Sequence, residues 1–304
     1  MRFEQLQYLE AAVRTGSFRQ AAAEFGVAQP TISTQVQRLE EDLGIVLLVR
    51  GGRGVRPTYA ADKILVHAME ALRAHHMMRQ EASAIGGLKE GRIRLAVVSA
   101  AAQTVLPNVV SRLQSEYPNI HFQVTELGSG DVRRGVASGR FDAGVVTRFK
   151  SSVDNDALRY IDVAEGRLVL SVPEAHPLAD RSHISGKDLA GERVIIISVR
   201  SLIQQAFDQL TEGVDFSPVF YTDNAETAQR MVRAGVGVVI AHTLHPSTRS
   251  GDGAALVPLR GDIAETRLSA VLRSDEQPTP ATRTFLHLLR EESRRAVSGQ
   301  LSPS

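Results

Sequence analysis

The sequence predicts a two-part chain: an all-α N-terminal unit closed by a hairpin and a long helix, then a two-lobed α/β domain. Three observations predict it. Apolar residues recur at helical spacing through the first 57 residues, broken by single glycines. A heptad-spaced run follows from Thr58. From Arg92 onward the period changes to strand, helix, strand, and the pattern occurs twice.

The composition is that of an ordinary globular chain. Its 304 residues are 43% hydrophobic and 23% charged, enough for about two domains. With no cysteine, disulfides, thiol catalysis, thiolate metal sites and thiol redox sensing are excluded. "MRFEQLQYLE" lacks the apolar core of a signal peptide, and no stretch reaches the roughly 18 apolar residues a membrane helix needs. The expected location is the cytoplasm, away from any membrane. Thirty-five basic and 34 acidic residues leave a net charge of +1, so any nucleic-acid site must be local. "RGGRGVR", residues 50 to 56, is the candidate basic patch.

In the first unit, Phe3, Leu6, Leu9 and Val13 mark one helix, and Ser17 caps the next, which stops at Gly26. Pro30 opens a third helix, where its missing N–H costs nothing, and Gly44 ends it. "IVLLV" is expected as a strand, the glycine-arginine segment as a turn, and "VRP" as the return strand. Thr58 caps a long helix that the pair Gly86 and Gly87 terminates. Inside it Ile64, Ala68, Ala71, His75, Met78, Ala82 and Ile85 form a heptad seam, read as a two-chain contact, with packing on its own domain as the alternative. "IGGLKEGR" is the linker.

The α/β part begins with the strand "RIRLAVV", a helix over 104–117, the strand "IHFQVTEL", a helix over 130–139 and the strand "FDAGVV". "RLVLSV" and "RVIIIS" start a second run, with helices near 201–211 and 224–234 and then "GVGVVIA". "TRLSAVLR" and a helix over 280–297 close the chain.

The third helix carries the chemistry of the first unit. Ile32, Val36, Leu39 and Leu43 form its buried stripe, so its other side is free for contact. That side offers Gln29, Thr31, Ser33, Thr34, Gln35 and Arg38. Glutamine can bond bidentately to adenine, and serine and threonine can bond phosphates or base edges. Two helices joined at a glycine turn match a helix-turn-helix whose second helix enters a major groove, with a solvated helix of a small bundle as the alternative. The hairpin behind it adds Arg50, Arg53 and Arg56, which neutralise phosphates or enter a minor groove. Ser17 and Phe18, at the start of the second helix, and Pro30 complete the expected duplex double-stranded DNA contacts.

The stretch "FEQLQYLEAAVRTGSFRQAAAEFGVAQPTISTQVQRLEEDLGIVLLVRGGRGVRPT" resembles the LysR-type transcriptional regulators, and the resemblance extends over nearly the whole chain. Helix order, the Gln29-Pro30 pair, "LEEDLG" and the wing occur together. The resemblance implies a winged helix-turn-helix DNA-binding domain over 1–58, a dimerising linker helix over 59–87, and an effector domain over 92–304. That domain is expected as two Rossmann-like lobes similar to periplasmic binding proteins, lobe I over about 92–162 and 267–297 and lobe II over about 163–266. It also implies a homodimer or homotetramer acting near promoters, with RNA polymerase as a partner. Thr34 stands where the family frequently has arginine, Leu48 where it has phenylalanine, Pro57 where it has leucine, and Ala61 where it has glycine.

Ligands of two-lobed α/β domains bind at the carboxyl ends of the strands, where helix N-termini offer free N–H groups. Loops meeting that rule name Ser99, Ala100, Thr104, Ser129, Thr147, Arg148, Ser198, Arg200, Ser201, Asn224 and His242 as effector contacts. In the family, positions corresponding to Ser99, Thr147, Ser198 and Ser201 often line the pocket. Arg148 and Arg200 point to a carboxylate effector, because a buried guanidinium needs an anion, with two surface arginines in ion pairs as the alternative.

Other signals carry less. "RAGVGVVIAH" lacks the third glycine of a dinucleotide loop and precedes a strand. His75 and His76 face different sides of a helix, which suits a metal poorly, and a seam histidine is the reading favoured over a ligand. No catalytic constellation or cofactor motif is found, so the chain reads as a regulator and not an enzyme. A solute-binding protein or an α/β enzyme using the same lobes is the alternative; the first would need a signal peptide and no winged N-terminus.

Overall fold

The computed structural model describes residues 1–51, 54–85, 91–153, 156–197, 202–248, 250–251 and 253–300. The chain divides into two compact units, Met1–Ala82 and Ser83–Ser304.

In the first unit, helices α1 (Phe3–Thr15), α2 (Phe18–Phe25) and α3 (Gln29–Leu43) each end on a glycine, Gly16, Gly26 and Gly44, at φ near 65°. Only glycine holds that left-handed geometry without strain. Strands β1 (Leu48–Gly51) and β2 (Gly54–Pro57) form the hairpin, and α4 (Tyr59–Ile85) follows with the Thr58 hydroxyl capping the Ala61 N–H. Leu6, Leu9, Ile32, Val36, Leu39, Leu47 and Leu48 make the core. Each large apolar side chain buried there contributes roughly 1.5–3 kcal/mol, and three of them anchor α3.

Two expectations are corrected here. The first strand starts at Leu48, not Ile45, because the Leu47 and Leu48 N–H groups donate to the Glu40 carboxylate at 2.7 and 2.9 Å. The first half of the heptad seam is used inside the chain: Ile64, Ala68 and Ala71 pack on the core of their own unit, and His75 stacks on Phe3 at 4.5 Å. Alanine at these positions lets the helix lie close. Met78, further along, is 63% exposed. The Gly86-Gly87 terminator and most of the linker lie outside the described residues.

The second unit runs β3 (Gly91–Val97), α5 (Ser99–Gln103), α6 (Leu106–Glu116), β4 (Ile120–Glu126), α7 (Ser129–Ala137), β5 (Ala143–Phe149), β6 (Leu158–Pro173), β7 (Arg193–Ile197), α8 (Leu202–Leu210), β8 (Ser217–Thr222), α9 (Ala225–Arg233), β9 (Val239–His242), β10 (Ala254–Pro258), β11 (Glu265–Arg273) and α10 (Pro280–Gln300). Strand order in the main sheet is β10-β6-β11-β5-β3-β4, with β9 also on β6; β7 and β8 pair in parallel beside it. Lobe I packs Ile93, Leu95, Leu113, Leu268 and Phe285 in one core, and lobe II packs Leu168, Leu170, Ile184, Val238 and Ile240 in another.

Two strands cross between the lobes. β6 pairs with β11 as far as Arg167, then with β9 and β10 from Leu168. β11 makes the return crossing at Glu265, whose register partner is Arg167. Among the described residues no helix is long and apolar enough to cross a membrane.

Candidate nucleic-acid interface and ligand cleft

The polar face of α3 stands outside the core. Gln29, Pro30, Thr31, Thr34 and Arg38 are exposed, and Ser33 and Gln35 are half-buried. The side-chain carbonyl of Gln35 accepts from the buried Gln5 amide at 3.3 Å, so it is spent on the fold. A bidentate base contact uses carbonyl and amide together, and of the two glutamines Gln29 is the exposed one.

The wing is held against this helix by groups that carry no sequence-level signature. Glu40 ties its entry to α3 through the two N–H bonds given above. The Val55 N–H donates to the Gly16 carbonyl at 2.8 Å, and a Cβ on Gly54 would stand 2.4 Å from that same oxygen. Glycine at 54 is what lets the hairpin close on the α1–α2 turn. Arg50 and Arg56 are exposed on the strands, while Arg53 lies outside the described residues. The Arg50 guanidinium lies 5.4 Å above the Phe18 ring. Phe18, 7% exposed, is a core residue that supports Arg50 from beneath. Ser17 is committed as the cap of α2, accepting from the Gln20 N–H at 3.3 Å. Of the family departures, Leu48 and Ala61 are core residues, and Pro57 is exposed.

Replacing Arg56 with alanine should weaken binding to all DNA sequences alike and lower the salt slope of binding by about one unit. An unchanged slope, measured by titration across salt, would place Arg56 off the duplex.

In the second unit a cleft of about 480 Å³ opens between the lobes. Ser99, Ala100, Ser129, Thr147, Asn224 and His242 line it as expected, with Gln103, Gln229, His245 and Thr248 beside them. Ser198, Arg200 and Ser201 lie outside the described residues. Ser99 opens α5, a single turn where a loop was expected. Thr104 does not line the cleft; its hydroxyl donates back to the Ala100 carbonyl and closes that turn. Thr147 and Arg148 belong to β5, where a loop was expected, and successive strand residues face opposite ways. Thr147 faces the cleft, its carbonyl receiving the Ser129 hydroxyl at 2.9 Å.

Arg148 therefore faces away. It is 8% exposed, donates to the Asp162 carboxylate at 3.0 Å and to the Ser269 hydroxyl at 3.1 Å, and lies 4.9 Å over the Tyr160 ring. Asp162 also receives Arg267 at 2.6 Å and the Ser269 hydroxyl at 2.7 Å. Burial pushes the Asp162 carboxyl up, but the bonds from Ser269 and Arg148 outweigh it and hold the group below the usual carboxylate range. The anion that Arg148 requires is thus in the chain, and its part in the carboxylate expectation is withdrawn.

The cleft's own electrostatics are different. Glu126 and Asp223 are exposed at its margin, and no lysine or arginine lines it among the described residues. Both imidazoles are kept neutral by burial: His242 is lowered to about 4, with His245 repelling the charged form, and His245 is lowered against the pull of Glu226 and Glu126. The Gln229 carbonyl accepts from the buried Ser171 hydroxyl at 2.8 Å. Its signal was present in the sequence: a polar residue on the stripe of Ala225, Ala228 and Val232, the apolar face of α9.

A helix-turn-helix with a basic wing and a separate two-lobed domain with a polar cleft define a ligand-responsive DNA-binding regulator. Residues 3–62 match the family described as bacterial regulatory helix-turn-helix protein, lysR family, and residues 86–294 match the LysR substrate binding domain. The chain belongs to the LysR family of transcriptional regulators. It is 29% identical over 261 residues to the DNA-binding transcriptional dual regulator OxyR of Escherichia coli K12, covering 85% of each chain. The fold is shared with a full-length OxyR variant from Pseudomonas aeruginosa, at TM-score 0.67 and 18% identity, over 97% of this chain and 95% of that one. It is shared too with CbnR solved on its target DNA, at TM-score 0.61 and 23% identity, over 96% and 100% of the two chains.

Proposed function

We propose that this regulator recognises its operator through Gln29 and the neighbouring hydroxyls of α3, with the arginines of the wing gripping phosphates. A small molecule in the interlobe cleft shifts those contacts. The observation that carries this reading is the exposed, uncommitted Gln29 amide beside a wing pinned to the same helix by Glu40. Linkage supplies the mechanism: a ligand that favours one lobe arrangement biases whatever assembly and DNA contacts that arrangement prefers. The working form is a cytoplasmic homodimer or homotetramer, so that two helices meet two half-sites. It acts at promoters, with RNA polymerase as its neighbour, and it is not an enzyme.

The trigger is a reversibly bound ligand. Relatives include proteins named as hydrogen peroxide-inducible genes activators, but a chain with no cysteine has no thiol to oxidise to a sulfenic acid or a disulfide.

Selecting genomic fragments with the full chain and repeating the titration with Gln29→Ala tests the reading. The variant should lose roughly 1–3 kcal/mol on the selected fragment and nothing on random DNA, if the amide makes a bidentate base contact. Equal loss on both would refute it.

A further inference from the structure

His242 lies on the cleft wall and against both strands that cross between the lobes. It ends β9, in register with Leu168, where β6 has just entered lobe II. The Leu244 N–H donates to its Nδ1 at 3.1 Å, so this nitrogen carries the lone pair of the neutral ring. The proton is therefore on Nε2, which donates to the Thr266 hydroxyl at 2.8 Å. Thr266 is 1% exposed and follows the return crossing, in register with Gly166 on β6 and Phe149 on β5. The ring also fills the space a side chain would need at Gly166, whose added Cβ would stand 2.6 Å from the imidazole Cε1.

One planar ring is thus bonded to one crossing strand and wedged against the other, with its orientation fixed by the Leu244 N–H. Neighbouring bonds make the crossing stiff: Arg167 N–H to the Thr243 hydroxyl, and Thr243 N–H to the Arg167 carbonyl, both at 2.9 Å. Lobe rotation about Arg167 and Glu265 must slide the ring past Gly166 or part it from Thr266. We infer that His242 is a positioning residue: it sets the angle between the lobes from the cleft wall, and a ligand that presses on it changes that angle. The ligand clause rests on the cleft being the effector site; the angle-setting clause does not.

Because the chain has no cysteine, paired labels can be introduced cleanly. Gln114→Cys on α6 and Glu212→Cys beyond α8 are both exposed, one in each lobe. Spin labels there, with unlabelled chain in excess so that only distances within one chain are read, report the lobe angle without ligand or DNA. Thr266→Val removes the acceptor and keeps the shape. His242→Asn keeps an acceptor for Leu244 but cannot reach Thr266, and Thr266→Ser restores the hydroxyl. Both disrupting variants should add a second distance or widen the first, and Thr266→Ser should keep the original distribution. A folded Thr266→Val or His242→Asn chain with the original distribution would overturn the inference. Loss of operator selection by the parent chain would count against the proposed function and leave this measurement intact.

Discussion

Replacing Asp162 with alanine is expected to destabilise the second unit by about 3 kcal/mol, through the guanidinium it leaves behind. Arg148 cannot turn to water, because it is 8% exposed, reaching from β5 across Ser269 of β11 to Asp162 of β6 and over the Tyr160 ring. Removing its carboxylate leaves a charge with less compensation than its burial demands. Asp162 itself is 37% exposed, which sets the figure at the lower end of what breaking a buried pair costs. The pair is not a stabiliser in its own right. Arg148→Met combined with Asp162→Leu should therefore recover most of the loss, since both partners go together and apolar volume replaces them. Chemical denaturation of the parent, the Asp162→Ala chain, the single variants Arg148→Met and Asp162→Leu, and the double variant checks this. If the two single losses simply add, the residues act independently and Arg148 needs no anion.

That ion pair also marks where the sequence stops being informative. A buried arginine near a strand end is legible from the pattern, and so is its need for an anion. The direction it faces is not, because that depends on whether β5 ends at Val146 or continues to Phe149. It continues, and Thr147 and Arg148 part to opposite faces. The helix-turn-helix was legible almost residue by residue, since caps, glycine stops and the Ile32, Val36, Leu39 stripe are local signals. Strands β8, β10 and the first half of β6 were not foreseen. In β8 and the first half of β6 most side chains are exposed or half-buried, as at Tyr160, Asp162, Val219 and Tyr221, and β10 is five residues long, so tertiary pairing decides them. The wing's anchors escaped for the same reason. Glu40 looks like any solvated acid in "LEEDLG" until Leu47 and Leu48 bring their N–H groups to it.

Stability of the second unit should fall as pH drops from about 6.5 to about 4, and His242 should account for about 3 kcal/mol of that fall. The sign follows from where the proton binds. In the folded chain the ring is buried and held to about 4, against 6.5 for an unrestrained histidine. Below 6.5 the unfolded chain takes up a proton that the folded one refuses, so each pH unit favours unfolding until the folded ring protonates too. The full contribution is present above 6.5 and gone near 4. His245, also lowered by burial, adds to the fall below 6.5, whereas Asp162, Asp188, Glu265 and Glu291, lowered by their partners, act mainly below this window. His242→Gln separates the terms, because glutamine keeps a donor for Thr266 and does not titrate. Urea unfolding of both chains at pH 7 and pH 4.5 should give a difference in pH dependence of about 2–3 kcal/mol; coincident profiles would mean the ring is not held neutral. A ring that stays neutral near pH 7 serves the hinge in one tautomer, so the lobe angle answers to what enters the cleft and not to the acidity of its surroundings.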